Sequence, residues 1–263
     1  MYSTIHGRKI WYTDSIKGEK TILLVHGYLE SSEVWNGFAD RLSSESRVIA
    51  IDLPGHGHSE VYSETHSMEM MADIIRELLE MLRITKTFMV GHSLGGYVTL
   101  AFLDLYPHML SGYCLFHSHP LADTPETVEK RKNDISAVVE GKKDLIYPDS
   151  VEKMFAPGNI DLLKEQVKRS KKIASVIPGN GMIALLNGMI KRPSRVAVME
   201  EGRVPCLWIL GTMDNFIPFE TIRGKVNLPL NATIVVLRNS GHMGFVEEEE
   251  NAVGAVNEFL QGL

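Results

Sequence analysis

Gly91-His92-Ser93-Leu94-Gly95-Gly96 directly follows the apolar run Thr87-Phe88-Met89-Val90, which sets a serine at the tip of a strand-to-helix turn. A hydroxyl held there stands clear of a sheet, and small residues two before and two after it let strand and helix approach closely. Such a serine becomes a nucleophile once a base takes its proton. The N–H of Leu94, at the start of the helix, would face an oxyanion forming on the attacked carbonyl. On these residues alone Ser93 has a second use, as an ordinary helix N-cap, because a chain with 22 glycines produces short Gly-x-Ser-x-Gly matches readily.

The rest of the chain supplies partners at the ends of other apolar runs. Thr21 to Val25 leads into His26-Gly27-Tyr28, Cys206 to Leu210 into Gly211-Thr212-Met213-Asp214, and Thr233 to Leu237 into Ser240-Gly241-His242. A histidine can take the serine proton, and a carboxylate can hold that histidine in the right tautomer. The chain order is Ser93, Asp214, His242, which differs from the orders of the chymotrypsin and subtilisin folds.

With the turn Asp52-Leu53-Pro54-Gly55-His56-Gly57-His58-Ser59, these motifs resemble the α/β-hydrolase family from about Gly7 to the end of the chain. The resemblance implies Ser93 as nucleophile, His242 as base, Asp214 as its orienting acid, and the N–H groups of Tyr28 and Leu94 as oxyanion hole. It implies no cofactor and no metal, and hydrolysis of a carboxylic ester or related acyl bond of a small, largely apolar small-molecule acyl substrate through an acyl-enzyme. Thioesters, lactones, carbon–carbon bonds and cofactor-free perhydrolysis use the same machinery and stay open, because a fold does not fix a substrate. Dehalogenase and epoxide-hydrolase relatives carry an aspartate where this chain has Ser93. A ligand receptor built on the fold would be signalled by loss of a triad member, and none is lost. The segment from Leu115 to Lys132, with Phe116-His117-Ser118-His119-Pro120, is similar to bacterial esterase-like members.

Elements able to position these residues are legible. Strand-like runs lie near 8 to 13, 21 to 26, 47 to 52, 87 to 91, 112 to 117, 204 to 210 and 232 to 237, alternating with helical patterns. That predicts an α/β fold, a mostly parallel sheet with helices on both faces. A helix after Ser67 sets Met71, Ile74, Ile75, Leu78, Leu79 and Leu82 against Asp73, Arg76, Glu77, Glu80 and Arg83. The helix after the turn that bears Ser93, a nucleophile elbow, is apolar nearly all round and should be buried. Between Pro120 and Arg203 strand-like runs give way to charged helical patterns broken by prolines. This divides the chain into a hydrolase core, 1–119 and 204–263, and an inserted helical cap, 120–203. Met154, Phe155, Ile173, Val176, Ile177, Met182, Leu186 and Met189 are candidates for a cap face that makes an apolar substrate pocket, or for packing between cap helices.

Other groups read more plainly. A net charge of -6 gives no field to attract nucleic acid or an anionic membrane. The N-terminal residues lack the apolar stretch of a secretory signal, so the expectation is a cytoplasmic chain with no membrane partner. Cys114 and Cys206 sit in apolar runs as free, buried thiols. His56 and His58 suggest a metal site, but Val61 stands where a further ligand is wanted, so a tight turn is the better reading. His26 should brace the oxyanion loop and His92 should pack beneath the elbow. Glu247 to Glu250 should open the C-terminal helix, where acids favour the positive end of the dipole.

Overall fold

A computed structural model describes residues 1–220 and 224–263. Among these, one eight-stranded sheet runs β1 (Tyr2–Ile5), β2 (Arg8–Asp14), β4 (Arg47–Ile51), β3 (Thr21–Val25), β5 (Thr87–His92), β6 (Leu110–Phe116), β7 (Cys206–Gly211), β8 (Ala232–Leu237). The pairings from β4 through β8 are parallel, and β1 and β2 add an antiparallel edge. The sequence patterning misses β1. Only Ile5 of its four residues is buried, so they show no apolar run, and the turn that pairs them with β2 uses His6 and Gly7 at φ 51° and 74°.

Apolar residues cover both sheet faces. Leu23 and Val25 of β3 enter one core cluster with Met71 and Leu100, whereas Ile22 and Leu24 enter another with Trp35, Phe38 and Phe245. α1 (Asn36–Leu42) and the C-terminal helix Glu249–Gln261 cover the second face. On the first lie α2 (Met68–Met81), capped by Ser67 Oγ accepting from Met70 N at 3.1 Å, and the buried α3 (Leu94–Leu105). Cys114 and Cys206 are free and buried.

Strand β3 lies between β4 and β5, so the chain changes direction across the sheet at this point, and loops after β3 and β5 open a crevice at the carboxyl ends of the strands. His26 to Tyr28 follow β3, Ser93 follows β5, His117 follows β6, Asp214 lies just past β7, and His242 follows β8. Parallel pairing therefore brings residues far apart in sequence to one edge.

Between β6 and β7 the described chain is helical: α4 (Pro125–Val139), α5 (Tyr147–Glu152), α6 (Lys164–Ser175), α7 (Gly179–Lys191) and α8 (Val196–Glu200). Among the described residues no single helix is long and apolar enough to cross a membrane.

Candidate active site

Ser93 has φ 49° and ψ -113°, a backbone conformation that a side-chain-bearing residue adopts only under constraint. Close packing supplies the constraint. A Cβ at Gly91 would lie 2.4 Å from Gly95 O, and one at Gly95 would lie 2.2 Å from Val25 O. The Ser93 amide donates to Phe116 O at 3.0 Å, and its carbonyl accepts from Ser118 Oγ at 2.6 Å. Ser93 makes no side-chain capping bond to α3, which removes the N-cap reading. Its side chain lines a cavity of about 350 Å³ together with Tyr28, Tyr97, Met154, Met189 and His242. No hydrogen bond joins Ser93 to His242 here; catalytic hydrogen bonds often tighten only when substrate is bound.

Asp214 and His242 meet directly. His242 Nδ1 donates to Asp214 Oδ2 at 2.8 Å, while the amides of Phe216 and Ile217 donate to Oδ1 at 2.8 and 2.9 Å. A fourth donor comes from a residue that sequence reasoning passed over. His117, the first residue after β6, sends Nδ1 to the same Oδ2 at 3.1 Å. It is buried, at φ 46°, and its Nε2 has no hydrogen-bond partner. Gly211 and Gly244 make room, since a Cβ on either would meet the imidazole at 2.7 or 2.4 Å. Burial opposes the Asp214 charge, but His242 and His117 outweigh it and hold the carboxyl far below the usual range. Burial pushes His117 down to about 4, so it is a neutral donor. For His242 burial also lowers the pKa, but Asp214 more than compensates and raises it above the ordinary histidine value. The ligand atoms of His117, Asp214 and His242 lie within 4.8 Å of one another. By contrast His56 is buried whereas the His58 side chain is 55% exposed, and the two do not converge.

A second network ties the loops together. Glu30 Oε2 accepts from Gly27 N at 2.5 Å and from His92 Nδ1 at 2.9 Å, and His92 Nε2 donates to His242 O at 2.8 Å. Although burial opposes its charge, His92 and the Gly27 amide hold Glu30 below the usual carboxylate range. His92 therefore lies beneath the elbow as a link between the Tyr28 loop and the His242 loop. His26 braces the first of these, donating Nδ1–H to Gly27 O at 2.7 Å and accepting from Leu53 N at 3.0 Å. Leu94 opens α3, so its amide has no helical carbonyl four residues back.

The cap candidates divide. Met154 and Met189 line the cavity. Phe155 is instead packed among Val167 and Phe245 beneath the sheet, Met182 among Leu29, Val138 and Ile177, and Leu186 among residues of the α2 side. Val176 is exposed. A helix places only part of its apolar stripe over a small cavity, and the remainder buries itself against neighbouring helices. The cavity wall is also less apolar than expected, for it includes Asp123, Lys130, Arg131, Asp134 and Lys225. Glu247 and Glu248 depart from expectation too. Glu247 Oε2 accepts from Ala156 N at 2.7 Å and Asn159 Nδ2 at 2.8 Å, and Glu248 Oε2 from Asn239 N at 2.8 Å. Both satisfy loop donors around His242 instead of joining Glu249 in the C-terminal helix.

The fold and these loops define an α/β-hydrolase: a model of the alpha/beta hydrolase fold family matches residues 20–249, and the chain belongs to that family. Among relatives, it is 26% identical over 254 residues to the dihydrolipoyllysine-residue acetyltransferase component of the acetoin cleaving system of Pseudomonas putida. That match covers 95% of this chain and 66% of that protein, so the chain spans only about two thirds of that relative. It is 28% identical over 262 residues, 93% of this chain and 91% of the other, to a Bacillus subtilis protein that carries the name "Putative 2-succinyl-6-hydroxy-2,4-cyclohexadiene-1-carboxylate synthase". Its backbone matches a thermophilic esterase from Thermogutta terrifontis, solved with malate bound, at a TM-score of 0.93 and 26% identity, covering 99% of this chain and 96% of that one.

Proposed function

We propose that this chain is a serine hydrolase that cleaves a carboxylic ester through an acyl-enzyme. The observation that carries the reading is the convergence of a strained Ser93 and an Asp214-held His242 on one cavity. In this reading His242 takes the Ser93 proton as Oγ attacks the carbonyl, and the Tyr28 and Leu94 amides hold the oxyanion. His242 gives its proton to the leaving alcohol, then activates the water that releases the acid. Residues 120–203 form a cap over Ser93, supported by the bond from His242 N to Met154 O at 2.6 Å. The likeness to the Thermogutta esterase supports the bond class. Incubation with a fluorophosphonate followed by peptide mapping tests it: Ser93 is the expected adduct, and labelling of another serine, or none in an active preparation, rejects the mechanism.

A pH profile follows from the site. His242 must be neutral to act as base, so turnover rises as its proton leaves. Its pKa is raised in the folded site, which sets the midpoint of the acid limb above the ordinary value of ~6.5. A midpoint below that value would contradict an Asp214-stabilised imidazolium.

His117 acts in this scheme as a positioning residue. Its N–H fixes the Asp214 carboxylate and draws some of its negative charge away from His242. Replacing His117 by Phe removes that donor, so kcat should fall by about tenfold or more and the acid limb should move to higher pH. His117→Asn keeps an N–H near the same place and tolerates the left-handed backbone, so it should restore both. A purely structural role would lower the amount of folded enzyme in His117→Phe without moving the pH limb.

A further inference from the structure

The cavity beside Ser93 carries a charge pattern opposed to that of the whole chain. The chain has a net charge of -6, yet among the described residues the cavity wall presents Lys130, Arg131 and Lys225 against only Asp123 and Asp134. Asp123 balances one of these cations, which leaves Lys130 and Lys225 against Asp134 on the wall, with Arg192 behind it. Asp123 is engaged by two guanidinium groups at once, with Arg131 Nε at 2.7 Å from Oδ2 and Arg192 Nη1 at 2.7 Å from Oδ1. Arg192 lies behind the wall, its guanidinium 3.7 Å from the centre of the Tyr97 ring. Burial pushes the Asp134 carboxyl up, against the pull of Lys130 and Arg131. Lys130 has no ion-pair partner among the described residues, and its Nζ lies 5.8 Å from the centre of the Phe216 ring.

An orphaned donor lies within the same wall. Tyr28 Oη is buried without a hydrogen-bond partner, although Tyr28 lines the cavity and lies within electrostatic reach of Arg131 and Asp134. A buried hydroxyl left unpaired is costly, and a ligand acceptor would satisfy it. Tyr97, which also lines the cavity, has a donor to spare. Leu121 N donates to His119 Nδ1 at 3.1 Å, so His119 Nε2 carries the ring proton and donates to Tyr97 Oη at 3.3 Å, leaving the Tyr97 O–H proton for another acceptor.

We infer that this cavity binds a substrate that bears an anionic group, a carboxylate or a phosphate, held by Lys130 and Arg131 with Tyr28 Oη donating to it, while Ser93 attacks an ester in the same molecule. The inference rests on the hydrolase reading above and names its substrate class. Arg131, which is partly buried, supplies charge-assisted bonds that outweigh those made in water, and the exposed Lys130 adds positive charge beside it. At about 350 Å³ the cavity is at the small end of ligand sites, which suits a compact bifunctional molecule better than a long acyl chain.

Two matched ester pairs test it. One places the charge on the acyl part, p-nitrophenyl hemiglutarate against p-nitrophenyl pentanoate. The other places it on the alcohol part, the acetyl ester of hydroxybutyrate against butyl acetate, repeated with glycerol phosphate as alcohol to separate carboxylate from phosphate. The anionic member of at least one pair should be favoured by about ten- to a hundredfold in kcat/KM. Salt should erode that preference, and both Lys130→Ala and Arg131→Gln should bring it toward unity. Binding is read independently of turnover: glutarate or inorganic phosphate should bind Ser93→Ala protein by calorimetry and fail to bind once Lys130→Ala is added. Ser93-dependent turnover without preference in any pair, together with no binding of either anion, would overturn this inference and leave the hydrolase reading standing. Absence of all ester turnover and of fluorophosphonate labelling at Ser93 would instead defeat the hydrolase reading itself, and anion binding lost with Lys130 would still support the site.

Discussion

Ser93→Ala should abolish ester turnover, lowering kcat on the order of 10⁶-fold, because the nucleophile of a serine triad cannot be replaced by the groups around it. What remains should be the small acceleration from binding and the oxyanion donors alone. The same position offers a second readout. Ser93 is held at φ 49°, and strain of this kind costs on the order of 1–3 kcal/mol. Ser93→Gly relieves it, offset in part by the larger entropy that glycine loses on folding. The expected result is an inactive protein that is more stable than the parent by about 1 kcal/mol. Activity assays with chemical denaturation of parent, Ala and Gly variants check both halves. A Gly variant that is inactive and also destabilised would show that the elbow is not strained, and an active Ala variant would show that Ser93 is not the nucleophile.

Asp214→Asn should lower kcat by about 10⁴-fold with the fold intact. The carboxylate receives four N–H donors, from His242, His117, Phe216 and Ile217. An amide at the Oδ2 position would accept less strongly, or present its own N–H to two histidines and drive His242 into the wrong tautomer. The variant also loses the charge that raises the His242 pKa, so the acid limb of its pH profile should fall toward or below the ordinary histidine value. Near-parental kcat would place the acid elsewhere. Near-zero kcat with the acid limb unmoved would mean that Asp214 holds the ring in place without charging it.

Much of the architecture is local and therefore readable. Buried parallel strands such as Thr21–Val25 and Cys206–Gly211 must be apolar on both faces, so they stand out as short runs. The elbow is readable because its glycines answer steric demands set by close neighbours in sequence, Gly91 against Gly95 and Thr99. β1 is silent for the opposite reason: an exposed four-residue edge strand needs no apolar pattern. The helices between β6 and β7 are visible as helices, yet the apolar residues that face the cavity cannot be told from those that face a neighbouring helix. Both obey the same periodicity, and so Met154 and Met189 line the site while Phe155, Met182 and Leu186 lie in packed clusters.

The parallel α/β frame, the turn that bears Ser93, and the order in which Ser93, Asp214 and His242 follow their strands are each written in contiguous residues and so can be read from them. Packing of the whole chain was needed for His117 to share an oxygen of Asp214 with His242, for Glu30 and His92 to join the loop after β3 to the loop after β8, and for Lys130, Arg131 and Tyr28 to line one cavity with Ser93. Those contacts join residues 62 to 150 positions apart wherever they are hydrogen bonds, and a histidine or lysine carries no mark in its own neighbourhood of the distant carboxylate or cavity it will meet. The partner is chosen by strand register and helix packing, which are properties of the whole chain.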